Sequence, residues 1–159
     1  QQDASTQAIS EFVNQWVGGM ERLRWAHMEK PLRAAQGSKA PEYPRSASQS
    51  TLAAWAATWQ GLRSVTVQSA SAAASAPGSA LVPLATYLRG KGQNLLADKL
   101  QHAVQKVDAS MAQVQRAGVR GKAAIQQAAR DLAALKFLAE SEVAPALQVS
   151  IGFSDADGD

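Results

Sequence analysis

Gln93-Asn94-Leu95-Leu96-Ala97-Asp98-Lys99-Leu100-Gln101-His102-Ala103-Val104-Gln105-Lys106-Val107-Asp108-Ala109-Ser110-Met111-Ala112-Gln113-Val114-Gln115 decides the fold class. Its apolar residues Leu96, Leu100, Val104, Val107, Met111 and Val114 are spaced by 4, 4, 3, 4 and 3. A helix turns once every ~3.6 residues, so all six fall on one stripe and the charged residues take the remaining faces. Such a seam is stable only against matching stripes on other helices, because an isolated helix gains little in water.

Matching stripes lie on both sides of it. Downstream, Gly118 and Gly121 bracket a turn, and Ile125, Ala128, Leu132, Leu135 and Leu138 predict a helix from about Lys122 to Glu142. Upstream, Leu81, Leu84 and Leu88 predict a short helix from about Ala80 to Arg89, broken by Gly90-Lys91-Gly92. Before that, Leu52, Trp55, Trp59, Leu62 and Val65 mark a helix capped by Ser48 or Ser50. The first helix runs from Ser5 to about Met28 on Ile9, Phe12, Val13, Trp16, Val17, Met20 and Leu23, with Asp3, Ser5 or Thr6 as its cap. Gly18-Gly19 weakens it by up to ~1 kcal/mol per Gly relative to Ala, and permits a close helix approach or a bend. Pro31 is expected to end it by disfavouring the helical conformation of Lys30.

The expected architecture is all-α: an up-and-down four-helix bundle over residues 1–159, a single domain, with long loops at 31–49 and 69–79. A non-helical C-terminal tail, residues 144–159, breaks the pattern with alternating Leu147, Val149, Ile151 and Phe153, and is expected to pack back on the bundle. Residues 1–139 hold all 16 Lys and Arg and 8 of the 13 acids, whereas residues 140–159 hold 5 acids and no base. The basic body can therefore attract its own tail. The chain has no Cys, which removes disulfides, thiolate metal sites and cysteine nucleophiles. It has no run of ~18 apolar residues, so no membrane span is expected. It opens on Gln1-Gln2-Asp3 without Met or a basic-then-apolar leader, and reads as a processed or excised piece.

Few residues point to chemistry. His27 and His102 are the only imidazoles, and neither stands in a zinc-hydrolase spacing. No nucleophile-base pair, phosphate loop or dinucleotide fingerprint is present, so no catalytic residue is assigned. The bases are scattered singly rather than striped among aromatics, which argues against nucleic acid. Trp16, Trp55 and Trp59 follow the apolar stripes and are expected in the core. Trp25 departs from them, beside Arg22, Arg24 and His27, and is a candidate for a pocket or an interface. Asp155 and Asp157, in Asp155-Ala156-Asp157-Gly158-Asp159, match the opening of a calcium loop that the chain does not complete; the alternative is that they meet bases on the bundle.

The run Leu147-Gln148-Val149-Ser150-Ile151-Gly152-Phe153-Ser154-Asp155-Ala156-Asp157-Gly158-Asp159 resembles the C-terminal signature of imelysin-like proteins. Pro31-Leu32, then Arg45-Ser46 and Ser50-Thr51-Leu52, are similar to that family's passage from a long helix through a Pro-Leu turn into an Arg-Ser/Ser-Leu helix start. The resemblance covers nearly the whole chain, as the second of two helical bundles. It implies a bacterial envelope protein, periplasmic or outer-membrane-associated, linked to iron or haem uptake, whose partners are its own N-terminal bundle and other uptake components. The family's Gly-x-His-x-x-Glu motif belongs to the first half and is absent here. What this half would contribute to a site between the bundles is Arg45, Ser46 and Ser50, at a junction where a guanidinium fork, hydroxyls and free helix N–H groups suit an anion. The alternatives are half of a metallopeptidase, with its ligands in the missing bundle, and a protein interaction module.

Overall fold

A computed structural model describes residues 2–35, 41, 43, 48–68 and 82–152. All regular structure among them is helical. The first rod, α1, runs over residues 2–34: an α-helix Gln2–Glu21, a π-helical stretch Arg22–Glu29 and a last α-helical turn Lys30–Ala34. α2 is Ser48–Thr66, α3 is Leu84–Gly90 and α4 is Asn94–Ala117. α5 covers residues 122–146, with a π-helical stretch at Ala139–Val143 near its end.

The apolar stripes converge on one core. Trp16, Met20 and Leu23 of α1, Trp55 and Trp59 of α2, Leu88 of α3, Leu100, Val104 and Val107 of α4, and Ile125, Leu132 and Leu135 of α5 are all buried. Every residue of the α4 seam is buried. Neighbouring long rods run antiparallel. Trp16 of α1 meets Thr66 of α2, and Gly19 faces Leu62. Arg63 and Trp59 of α2 bond Asp108 of α4, while Gln115 bonds the Leu52 carbonyl. Lys99 of α4 pairs with Glu142 of α5, and Ser110 with Asp131.

Gly19 explains the close approach of α1 and α2. A Cβ there would lie 2.7 Å from Leu62 Cδ2, too near for a side chain without movement. Helix ends also follow from local chemistry. At the end of α3, Gly92 takes φ +78 so that Gln93 N–H reaches the Leu88 carbonyl and Gly92 N–H the Arg89 carbonyl.

Three expectations need correction. α1 does not stop before Pro31 but continues to Ala34. Pro31 lacks an N–H and its ring crowds the preceding turn, and it stands one residue beyond the widened π stretch, second in the last α-helical turn. The expected loop 31–49 is accordingly shorter, with residues 31–34 and Ser48 onward helical. The tail begins later than 144, since Ala144–Ala146 is still helix. The 69–79 tract lies outside the described residues.

Candidate functional site

One face of α1 carries Asn14, Val17, Gly18 and Glu21, a three-and-four spacing that places them side by side. Across from them stand Lys136 and Glu140 of α5, and the segment after α5 supplies Pro145, Val149, Ile151 and Gly152. Together these residues line a cleft of about 570 Å³. Gly18 contributes by having no side chain, leaving space between the two helices.

The outer wall is fixed by Asn14. Its side-chain N–H donates to the Ser150 carbonyl at 3.2 Å, and its side-chain oxygen accepts from Gly152 N–H at 2.9 Å. Val149 is buried and Ile151 half-buried in the same contact. The chain turns into this path at Gln148, whose φ is +56. Gln148 N–H reaches the Pro145 carbonyl and Val149 N–H the Ala144 carbonyl, the paired bonds that close a helix through a left-handed residue.

The inner end is charged. Glu21 is only 5% exposed, yet it is fully partnered. Arg24 grips it with Nε at 3.0 Å and Nη2 at 2.5 Å, and Lys136 Nζ reaches it at 3.1 Å. Lys136 also faces Glu140 at 3.5 Å. Arg24 Nη1 extends the chain to Glu29 at 2.5 Å, and Glu29 holds Arg33 at 2.6 Å. Burial works against the Arg24 charge, but the hydrogen bond to Glu21 and the charges of Glu21 and Glu29 outweigh it and raise its pKa.

The π stretch makes this network possible. In an α-helix Arg24 and Glu29, five apart, would point ~140° away from each other. The wider π turn, with Lys30 N–H bonded to the Trp25 carbonyl, brings them to one side. Glu140 likewise sits in the second π stretch. The cleft is therefore flanked by both irregular turns described.

No family model matches this chain, and no curated protein or solved structure matches it.

Of the residues singled out from sequence, Trp25 is half-buried, with the Arg33 guanidinium 5.6 Å from its ring centroid. Ser50 is exposed in the first turn of α2. Neither lines the cleft. Arg45, Ser46, Asp155 and Asp157 lie outside the described residues. Sequence reasoning missed Asn14, Glu21, Lys136 and Glu140. Glu21 with Arg24 and Lys136 with Glu140 stand three and four residues apart, a spacing common on any helix, and only the packing of α1 on α5 joins them. Among the described residues no group of three His, Cys, Asp or Glu side chains stands close enough to hold a metal ion. What the cleft offers is an apolar wall of Val17, Pro145, Val149 and Ile151 beside one ammonium group.

Proposed function

We propose that this chain is a non-catalytic domain, an up-and-down four-helix bundle with its C-terminal segment packed back on it, from an imelysin-like envelope protein of bacteria. In this reading it works in the periplasm or at the outer membrane in iron or haem uptake, and forms one side of a ligand site shared with an N-terminal bundle. The observation that carries the proposal is the place of the family-like C-terminal run. Its described part, Leu147 to Gly152, is clamped by Asn14 and makes a wall of the cleft instead of trailing from the helices.

The residues fit the periphery of a cargo better than its metal. The lining has no imidazole, thioether or phenol to ligate iron, and its two carboxylates are engaged, Glu21 by Arg24 and Lys136 and Glu140 by Lys136. A ligand carboxylate, such as a haem propionate, would take the place of Glu140. Glu140 is the looser partner of Lys136, at 3.5 Å against 3.1 Å for Glu21, and the more exposed. The apolar body of the ligand would lie on Val17, Val149 and Ile151, where burial contributes ~25 cal/mol per Å².

The test is titration of hemin, with ferric citrate in parallel, into this chain and into Glu140→Gln and Ile151→Asp. Freeing Lys136 in Glu140→Gln is expected to tighten hemin about three- to tenfold, on the scale of one charge-assisted hydrogen bond. Ile151→Asp is expected to weaken it. Hemin binding that ignores both substitutions, or no binding of either probe, would overturn the proposal.

A further inference from the structure

The charges of the molecule separate by end. α1 and α4 finish where α2 and α5 begin. Gln115 bonds the Leu52 carbonyl there, and Glu29 and Arg33 share a concavity with Gln126 and Arg130. This end carries Lys30, Arg33, Arg116, Arg120, Lys122 and Arg130, all exposed. Its described carboxylates are Glu29, already held by Arg24 and Arg33, and Asp131, beside Arg130, which accepts from Ser110 and Gln127. No described carboxylate pairs Lys30, Arg116, Arg120, Lys122 or Arg130, and Arg116 and Arg130 are held by the neutral amide oxygens of Gln113 and Gln127.

Local stability does not account for this arrangement. Bases suit the C-terminal ends of α1 and α4, but Arg120 and Lys122 flank the start of α5, where free N–H groups and the helix dipole favour an acid. Like charges gathered on one end also repel each other, a cost offset when an anionic partner docks. Between Arg33 and Arg130 lies a concavity of about 380 Å³, floored by Leu32 and Ala129. Stacking on Trp25 and the bond to Glu29 orient the Arg33 guanidinium at its edge.

We propose that this basic end docks an acidic segment of a partner protein, with one Asp or Glu carboxylate seated between Arg33 and Arg130 and further carboxylates on Arg116, Arg120 and Lys122. Four of the six bases are Arg, whose planar fork matches a carboxylate bidentately. A nucleic acid is disfavoured because the Trp25 face, which a base would stack on, is covered by Arg33. A bilayer is disfavoured because the exposed large apolar residues described, Val82, Leu95 and Phe137, lie away from this end. The inference stands apart from the cleft and does not depend on what the cleft binds.

The experiment is an anisotropy titration of fluorescein-labelled hexaglutamate against the chain, with oligothymidylate and phosphatidylserine vesicles as rival probes. Saturable peptide binding is expected, weakening about tenfold as salt rises from ~50 to ~300 mM. Arg33→Gln/Arg130→Gln and Arg120→Gln/Lys122→Gln should each weaken it about fivefold or more, while Lys91→Gln, at the other end, should leave it within about twofold. Lys122→Glu guards against a folding artefact: it relieves the start of α5, so it should melt no lower than the parent and still lose peptide. No saturable peptide binding, binding indifferent to the arginine pair, or tighter binding of oligothymidylate or vesicles overturns the proposal.

Discussion

Thr66 shows how one hydroxyl sets the fit of two helices. It is fully buried, its oxygen accepts the Trp16 indole N–H at 2.8 Å, and its own hydrogen goes to the Leu62 carbonyl at 2.6 Å. Thr66→Val keeps the shape but leaves the indole donor unpaired in the core. A loss of about 1–3 kcal/mol in denaturant unfolding is expected. Tyr43 is the converse case. Its ring packs edge-on against Trp55, with centroids 5.2 Å apart, while its buried hydroxyl has no hydrogen-bond partner among the described residues. Burial pushes its pKa above the ordinary 10.0, so the folded state holds the proton more tightly than the unfolded chain does. The sign follows: this contribution is complete below the unfolded pKa and is lost as pH rises through it toward the folded one. Unfolding free energy measured across pH ~8 to ~11 should fall at the alkaline side, and Tyr43→Phe should flatten that part of the fall. Because Phe removes the unpaired oxygen and keeps the ring contact, the variant should be no less stable at neutral pH. A clear loss there would show that the hydroxyl has a partner.

At the scale of elements, periodic apolar spacing located every long helix, because burial of a stripe is a cooperative effect over many residues and tolerates local exceptions. The misses are all where a backbone exception wins. The π stretch Arg22–Glu29 adds residues to a turn without changing the residue types a helix uses, so Glu21, Arg24 and Glu29 gave no sign that they would form one network. Pro31 gave a stop signal that the irregular turn absorbs. Gln148 is another such exception: a non-glycine residue at φ +56 closing α5. A left-handed residue with a Cβ is strained by ~1–2 kcal/mol, and glycine relieves that strain while adding freedom to the unfolded chain. Gln148→Gly is therefore expected to stabilise the protein by about 0.5–1 kcal/mol, read as a raised thermal midpoint. A lowered midpoint would mean that the Gln148 side chain contributes more than its backbone costs.

For the whole molecule, the chain's charge asymmetry and its spatial asymmetry are different facts. Reading along the chain shows acids without bases from residue 140 onward, but it cannot show that residues 30–33, 116–122 and 130 meet at one end; antiparallel packing does that. The same packing decides what the C-terminal segment is worth. Val149 is 8% exposed, Ile151 is half-buried, and Asn14 makes two hydrogen bonds to the backbone of Ser150 and Gly152. Full burial of a Val side chain contributes ~1.5–3 kcal/mol and each hydrogen bond ~0.5–1.5 kcal/mol, so the segment should hold about 3 kcal/mol of stability. For a domain of this size each kcal/mol moves the midpoint by ~2–4 °C. Truncation after Gln148 should then lower Tm by roughly 6–12 °C. Truncation after Gly152 keeps both hydrogen bonds and both side chains, and so keeps this contribution. Asn14→Ala should fall between the two, because it removes the clamp and leaves the apolar contact. The order of the three melting points is the decisive readout: if the chain ending at Gln148 melts with the parent, the segment lies against α1 without stabilising it, and a cleft walled by it would not persist in solution.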